Sequence, residues 1–477
     1  MSICDSGIGR KLFGQEILIP ISPNHPLLIL GNELPWEEML RIVEDDFRQN
    51  LASKALHYGR KLKIRIHIGA YLLQKMFNLT DRGTESGIRD NAAYQVFCGI
   101  GIVDQWRCPD HTKIEAFRSR LSPETHHKLA NLLCKNAVDK GLAEAQDIDL
   151  DSTVQEANMT YPTDAKMLRK IGTVALSVAK HLKKLLPSGG AALNLDVDIK
   201  TIASKARACF FLPKTATKEE KSHRLSELLN VTSHAAEGIV NACHLIKTTV
   251  IEGLSWGAKR SMQQLEQATT YFTAVKQYIE TGTASLEKRL SLHLNEVGCF
   301  NKKKAHKKYE FGRAFQLGRL SKGNFLFVAK SHDVRMDDKK SFILLLQEHE
   351  NLFGEKALLS VTTDKGYYSS KNVRALVKRE INQIGIQVPG NTKNKHITLT
   401  QKESEQLSNR RAGIEPLIGH AKRGGQLGLS RMKNDRNTES AGYASVLGFN
   451  LRQTTRALLG KLRAQNAPPL NGGAVIF

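Results

Sequence analysis

The stretch Gln146–Val154, QDIDLDSTV, decides the fold class because it interrupts long runs of helical sequence with strict alternation. Apolar residues alternate there with Asp147, Asp149 and Asp151, and a period of two residues predicts a β-strand with one acidic face. Aspartates are uncommon in strands, so this face indicates a cation opposite it. A solvated edge strand is the alternative interpretation. The alternation places all three aspartates on one face and does not decide which of them binds the cation.

Strand and helix patterns follow one another on the carboxyl side of this stretch. Residues 309–320 and 324–330 predict a hairpin joined at 321–323. Beyond it, the sequence predicts a helix, a strand, a helix, a strand, a polar loop and a helix, at 340–352, 357–363, 372–381, 384–388, 391–406 and 410–422. This order predicts an α/β fold with one mixed sheet flanked by helices.

Helical sequence dominates on either side of the first strand. Residues 1–35 are expected to be irregular, whereas 36–140 are expected to form helices, one of them starting with a capping box of Thr112 and Glu115. Helical spacing returns over 165–298, with a break at 187–190. The predicted domains are a helical N-terminal domain at 1–140, an α/β domain at 141–169 and 299–463, a helical insertion at 170–298 and a loose tail at 464–477.

Composition narrows the function. The chain has 477 residues and a net charge of +23, which favours a polyanionic partner, most often nucleic acid. We find no apolar stretch of the roughly 18–20 residues that a membrane span needs, and no secretory signal. Seven cysteines without a CxxC motif indicate free thiols in the cytoplasm. Cys98, Cys108 and His111 lack a fourth ligand, which argues against zinc.

Two further carboxylates stand out. A predicted buried strand ends at Asp364, and open α/β sheets place ligand sites at such strand ends. A helix N-cap or an Asx-turn is the alternative for this aspartate. In the last predicted helix, Arg411, Glu415 and Lys422 form a polar stripe beside an apolar face. The alternative here is a surface stripe of ion pairs.

Carboxylates at strand ends and on a nearby helix are suited to Mg²⁺, a hard cation that prefers oxygen ligands. Two such ions about 3.5–4 Å apart can activate the attacking oxygen and stabilise the leaving oxygen in phosphodiester cleavage. Cationic residues, which alternatively serve only solvation, cluster near these acids and predict a track for a phosphate backbone. They are Lys302, Lys303, Lys304, Lys307, Lys308, Arg374, Lys378, Arg379, Lys422, Arg423, Arg431, Lys433 and Arg436.

Three motifs together resemble a known family, the DDE transposases of bacterial insertion sequences. The motifs are Asp-Ser-Thr at 151–153, Asp-Lys-Gly-Tyr at 364–367, and Arg-x3-Glu-x6-Lys at 411, 415 and 422. Stretches at 25–27, 93–99 and 109–121 are similar to the family's N-terminal domain. The stretch 154–168 is similar to the sequence that follows the first aspartate in the family. The resemblance covers most of the chain except about 170–295. Ser408 departs from the family, which has a tyrosine at that position.

The resemblance implies a ribonuclease-H-like catalytic domain in which Asp151, rather than Asp149, joins Asp364 and Glu415 as catalytic and metal-binding residues. Two Mg²⁺ or Mn²⁺ ions are the implied cofactors.

The resemblance also implies the partners. They are double-stranded DNA, both the terminal inverted repeats of an element and its target, and a second copy of the chain in a homodimer on that DNA. Arg411 and Lys422 are implied to contact end phosphates, and the neighbouring Arg410 and Arg423 are predicted to bind DNA as well. The implied location is the bacterial cytoplasm, at the nucleoid. A domesticated nuclease of the same fold and a non-catalytic DNA-binding regulator are the alternatives.

Overall fold

The structure of the chain is a computed structural model. It describes residues 10–12, 15–17, 21–51, 63–100, 108–186, 195–213, 215–246, 252, 254–285, 288–301, 307–330, 333–390, 394 and 396–465. Contacts divide the chain into two compact units: Met1–Ala157 with Gly298–Phe477, and Asn158–Val297. The finer division predicted from the sequence, with a separate domain at 1–140, stays a prediction. The predicted break at 187–190 and the lysines at 302–304 lie outside the described residues.

The first unit is built on a mixed sheet, which confirms the predicted α/β class. The described strands are β1 Arg10–Leu12, β2 Gln15–Ile17, β3 Asp147–Glu156, β4 Gly298–Asn301, β5 Tyr309–Leu320, β6 Phe325–Ala329, β7 Ser360–Thr363 and β8 Gln383–Ile386. Strand β3 lies between antiparallel β5 and parallel β7, and β8 continues the sheet parallel to β7. Both β4 and β6 pair with the other edge of β5, whereas β1 and β2 form a small sheet of their own.

Helices make up most of the remaining described chain. They are α1 Pro26–Glu33, α2 Trp36–Leu51, α3 Ile64–Phe77, α4 Asp81–Asp90, α5 Ala92–Cys98, α6 His111–Arg120, α7 Pro123–Asp139, α8 Asp164–Leu185, α9 Ile199–Phe210, α10 Lys218–Leu245, α11 Trp256–Glu266, α12 Ala268–Thr281, α13 Asp338–Phe353, α14 Ser370–Lys378, α15 Gln401–Ala412, α16 Ile414–Gly425 and α17 Asp435–Gln465. Helices α8–α12 form the second unit around a core of their own. In the described part of the chain, no helix has the length and apolar character that crossing a bilayer requires.

Helices cover both faces of the sheet. Both faces are covered because the side chains of a strand point alternately to opposite faces, and those of β6 are apolar on both. Phe325 and Phe327 pack with α13 in one cluster. Leu326 and Val328 join the other cluster, which also contains residues of α1–α7 and α17. The N-terminal helices therefore share a core with the sheet.

Two predictions near the N-terminus of the chain were wrong. Helix α1 occupies part of the stretch expected to be irregular, because His25 caps it by accepting the Leu27 N–H at 3.2 Å and Pro26 suits a first helical position. Helix α6 begins at His111, two residues earlier than a cap at Thr112 would place it. Its cap is Asp110, which accepts the N–H groups of Thr112 and Lys113, and not the predicted capping box.

The predicted polar loop at 391–406 was also wrong over its last residues. Thr400 and Glu403 form a capping box that starts α15 at Gln401, and a polar helix results where we expected a loop. The single helix predicted at 410–422 is in fact two, α15 and α16, which meet at Gly413.

Asp149 is the electrostatic centre of the sheet. Its carboxylate is fully buried and accepts hydrogen bonds from Arg319 Nη1 at 3.1 Å, Ser321 Oγ at 2.8 Å, Thr362 Oγ1 at 2.6 Å and Arg410 Nε at 2.9 Å. These donors come from β5, the turn after it, β7 and α15. The cation opposite the acidic face of β3 is therefore, at Asp149, a pair of arginines.

The same clamp explains the glycine that separates α15 from α16. Arg319 Nη1 also donates to the Arg410 carbonyl oxygen at 2.9 Å. A Cβ atom on Gly413 would lie 2.1 Å from that Nη1, so only glycine permits this approach. Arg410 donates further to Ser360 Oγ at 2.9 Å, which attaches α15 to β7.

We expect Asp149→Ala to lower the free energy of unfolding by about 3–5 kcal/mol, because it leaves the mostly buried Arg319 without its carboxylate and leaves Arg410 with only the exposed Asp147. The matched control is Asp147→Ala. That side chain is 48% exposed and makes one ion pair at 3.4 Å with Arg410, so about 1 kcal/mol or less is expected. Urea denaturation measures both variants, and equal losses would contradict the clamp.

Candidate carboxylate site

Asp151 and Asp364 are brought together by strand register. Parallel pairing of β3 with β7 places Leu150 beside Thr363, so the next residue of each strand emerges at the same level of the sheet. Asp364 leaves the sheet there, because β7 ends at Thr363. Its Oδ1 accepts the Gly366 N–H at 2.9 Å and caps a short 3-10 turn, Lys365–Tyr367. The sequence-based alternative, an N-cap, thus describes Asp364 as well.

The Asp151 carboxylate lacks the side-chain hydrogen bonds and arginine partners that Asp149 has. Its hydrogen bond among the described residues comes from the Ser152 N–H at 2.7 Å. Burial first, and then the negative charges of Asp364 and Asp338, raise the pKa of Asp151 to about 6, while the Arg411 guanidinium opposes this shift. A carboxyl group in such surroundings is typical of functional sites.

Asp338 is a neighbouring acid that the sequence analysis missed. A Cβ atom on Gly366 would lie 3.0 Å from Asp364 Oδ1 and 3.2 Å from Asp338 Oδ2, so both carboxylates lie against this glycine. Asp338 stands in the first turn of α13, where acidic residues are common. The preceding Asp337 already caps that helix. Two consecutive aspartates where one suffices as a cap were the feature of the sequence that could have indicated another role for Asp338.

Glu415 lies apart from this pair in the structure. Its side chain is 62% exposed and accepts a hydrogen bond from Arg411 Nη2 at 3.2 Å, one turn earlier along the chain. Within the described ranges, no group of three or more His, Cys, Asp or Glu side chains is arranged to hold a metal ion. The structure therefore assembles two of the three predicted carboxylates, and Glu415 is paired as the alternative interpretation expected.

A cleft of about 480 Å³ opens beside these carboxylates. It is lined from the ends of β7 and β8 by Thr363 and Gln387, and from α15 by Ser408 and Arg411. Open α/β sheets bind ligands at this edge. Ser408, the departure from the family motif, therefore faces the cleft.

The predicted DNA-binding residues divide into two groups. Arg410 is directed inward, with its guanidinium engaged by Asp149, Ser360 and the Ile148 carbonyl oxygen. This geometry favours a structural role for Arg410 over a contact with DNA. Lys422 and Arg423 lie in the last turn of α16, where Arg423 is exposed.

We expect Asp151→Asn to stabilise the metal-free protein at pH 7.5 by an amount on the order of 1–3 kcal/mol. Because the pKa of Asp151 is raised to about 6, the favourable contribution of its protonated form is present at pH 4 and is lost as the pH rises through 6. Thermal melting of both proteins in EDTA should therefore show a difference that grows from pH 4.5 to 6.5 and then stays constant. A lower melting temperature for the variant at pH 7.5 would contradict this expectation, because it would mean that a cationic side chain stabilises the ionised form of Asp151.

Comparisons with known proteins agree with the motif evidence. Residues 15–120 match the family described as Transposase domain (DUF772). The chain is also 23% identical over 179 residues to an uncharacterized protein, ORF8 in the nfe locus of Rhizobium meliloti, which covers 37% of this chain and 81% of that protein. No solved structure matches the chain. Residues 15–120 are therefore similar to a transposase domain, and the resemblance of the chain to the transposases of insertion sequences is confirmed.

Proposed function

We propose that this protein is a DDE transposase that cuts DNA at the ends of its element and joins the freed ends to target DNA. The observation that carries the proposal is the adjacent exit of Asp151 and Asp364 from parallel strands, in a chain with a transposase domain. Water attacks the phosphorus atom at the element end and releases a 3′ hydroxyl. That hydroxyl then attacks a target phosphodiester and displaces its 3′ oxygen.

The strand order supports a ribonuclease-H-like catalytic domain. Leaving out the short β4, the strands follow one another along the chain as β3, β5, β6, β7 and β8. Across the sheet their order is β6, β5, β3, β7, β8, with β5 antiparallel to β3 and both β7 and β8 parallel to it. The first aspartate lies on the first strand of this series and the second follows the fourth. Glu415 is on a later helix, which is the order that the family resemblance implies.

Asp151 and Asp364 fit a divalent cation. Two carboxylates close together, with no ion pair to a described cationic side chain, are stabilised by Mg²⁺ or Mn²⁺ more than by water. When bound, the ions supply activation of the attacking oxygen and stabilisation of the leaving oxygen.

Glu415 fits the same role only after it separates from Arg411. The ion pair between them is partly exposed, and such pairs are weak, commonly about 0.2–1 kcal/mol. Glu415 would hold a metal ion together with Asp151 and Asp364, and the Arg411 guanidinium, at the edge of the cleft, would then lose its partner. The Arg411 guanidinium would then face a DNA phosphate, and the exposed Arg423 on α16 would bind the same backbone.

We expect Asp364→Asn and Glu415→Gln to abolish cleavage and joining while DNA binding stays nearly unchanged. The assay uses Mg²⁺ or Mn²⁺ and DNA that carries the ends flanking the gene. Asp147→Asn is the matched control, because this acid lies on the same strand face and contacts Arg410, not the cleft.

The outcomes separate the alternatives. Metal-dependent cutting and joining that Asp364→Asn removes supports the transposase. Cutting without joining favours a nuclease of the same fold. Binding without chemistry in the unmodified protein, or full activity of Asp364→Asn, contradicts the proposal.

We expect Lys422→Ala to weaken binding to duplex DNA a few-fold and to lower the slope of log affinity against log salt by about one, because one phosphate contact is lost. Fluorescence anisotropy at several salt concentrations measures this slope. Lys356→Ala, at an exposed lysine in the turn after α13, is the control and should leave the slope unchanged. An unaltered slope for Lys422→Ala would remove this residue from the DNA track.

A further inference from the structure

The second unit, Asn158–Val297, contains none of the proposed catalytic residues, and one of its helices carries exposed charge of a single sign. Helix α8 has 22 residues, and its apolar side belongs to the core of this unit. The other side is exposed to solvent and carries six cations. They are Lys166, Arg169, Lys170, Lys180, Lys183 and Lys184, and we call them the basic face of α8.

The six cations share one side of the helix because of their spacing. At about 100° per residue they fall within an arc of roughly 140°, opposite the buried residues. From Lys166 to Lys184 the helix rises about 27 Å, which corresponds to roughly eight base pairs of duplex at 3.4 Å each. The basic face is therefore long enough to follow a polymeric anion.

The single acid of α8 does not lie on this face. It is Asp164, in the first turn of the helix. Its Oδ1 accepts a hydrogen bond from the Tyr271 hydroxyl at 2.6 Å and lies 2.6 Å from Lys288 Nζ. Asp164 therefore compensates a lysine elsewhere in the unit, not the basic face.

Most members of the basic face have no counter-charge. Lys183 Nζ lies 2.6 Å from Oδ1 of Asp196, which is itself 89% exposed. Lys166 Nζ donates to the Tyr161 carbonyl oxygen at 3.4 Å. Among the residues that the structure describes, the side chains of the other four members make no hydrogen bond or ion pair. Their charge is exposed to solvent and open to a large anion.

Like charges also stand close together along this face. Positions three and four residues apart on a helix are neighbours, and like charges at these positions repel each other. Lys166 precedes Lys170 by four residues, and Lys180 precedes Lys184 by four. This arrangement destabilises the helix, so helix stability does not explain it. A polyanion bound along the face would remove the repulsion.

Helix α10 of the same unit differs from α8 in this respect. Its 28 residues include charges of both signs, and Glu227 pairs with Lys205 of α9 at 3.0 Å. The charged residues of α10 are Lys218, Glu219, Glu220, Lys221, Arg224, Glu227 and Glu237. Mixed signs are typical of a helix that is only solvated. Solvation of this unit therefore does not require the single sign found on α8.

We propose that the basic face of α8 binds the phosphate backbone of duplex DNA without sequence preference. The choice of DNA rests on the proposed function, which makes DNA the polyanion that this protein handles. Five of the six cations are lysines, whose ammonium groups act on phosphates as point charges, whereas bases are read mainly by bidentate side chains. An anionic membrane does not fit, because the apolar side of α8 is buried in the core and does not face lipid.

The test uses the full chain in EDTA, so that no cleavage occurs, and measures binding by fluorescence anisotropy over a range of salt concentrations. The triple variant Lys170→Gln, Lys180→Gln, Lys184→Gln should weaken binding of a duplex of unrelated sequence about 10–100-fold. The slope of log affinity against log salt should fall by about two to three, because up to three phosphate contacts are lost. A duplex that carries the element ends should show the same losses. Lys221→Gln, at an exposed position of α10, is the matched control and should change neither quantity.

A single charge reversal separates a contact with DNA from a folding defect. Lys180→Glu places an acid three residues before Lys183 and four before Lys184, and such pairs favour a helix. We therefore expect the melting temperature to rise slightly while duplex binding weakens about 10-fold. A folding defect would lower both.

Four results would overturn the proposal. Unchanged affinity and salt slope in both variants would show that duplex DNA does not bind this face. Losses confined to the duplex with element ends would replace the backbone contact by a sequence-specific one. Losses confined to duplex RNA would assign the face to RNA. These three results leave the proposed function untouched, whereas no duplex binding by the unmodified protein would reject both.

Discussion

The buried clamp on Asp149 is the interaction on which the site depends. Two guanidinium groups and two hydroxyl groups converge on this carboxylate and attach β5, β7 and α15 to β3. Arg410 must point inward to take part. Successive residues of a helix point about 100° apart, so Arg411 is turned out of the clamp and lines the cleft near Asp151. A structural ion cluster thus sets the direction of a residue in the candidate active site.

One face of β3 carries two kinds of carboxylate, which differ in the hydrogen-bond donors and charges around them. Asp149 accepts hydrogen bonds from four side chains, which attach its neighbours in the sheet and α15 to β3. Asp151 lies two residues further on the same face but has a backbone N–H and two acidic neighbours instead, and its pKa is raised to about 6. The fold tolerates this repulsion because the clamp stabilises the strand next to it. Carboxylates that are not held in an ion pair by the protein are the ones that can take a metal ion.

Periodicity was enough to predict β3, the β5–β6 hairpin, β7, β8 and the mixed sheet, because burial of one face imposes a period of two, whereas the short strands β1, β2 and β4 were not predicted. It was not enough to distinguish Asp149 from Asp151, since the arginines that neutralise Asp149 lie 170 and 261 residues away in sequence. The motif resemblance chose Asp151, and the described contacts agree in giving Asp149 a structural environment. Helix α15 was missed although Thr400 and Glu403 were visible, because its polar composition suggested a loop. The reason for a glycine at position 413 lies in the contact with Arg319, which is distant in sequence.

Helix α16 fixes the distance between the third predicted carboxylate and the cations proposed to bind DNA. Glu415 stands in its first turn, and Lys422 and Arg423 stand in its last turn. The rise from Glu415 to Lys422 is about 10 Å, which corresponds to roughly three base pairs of duplex at 3.4 Å each. Because a helix is stiff over this distance, the spacing between Glu415 and a phosphate bound at Lys422 would be set by the sequence between them.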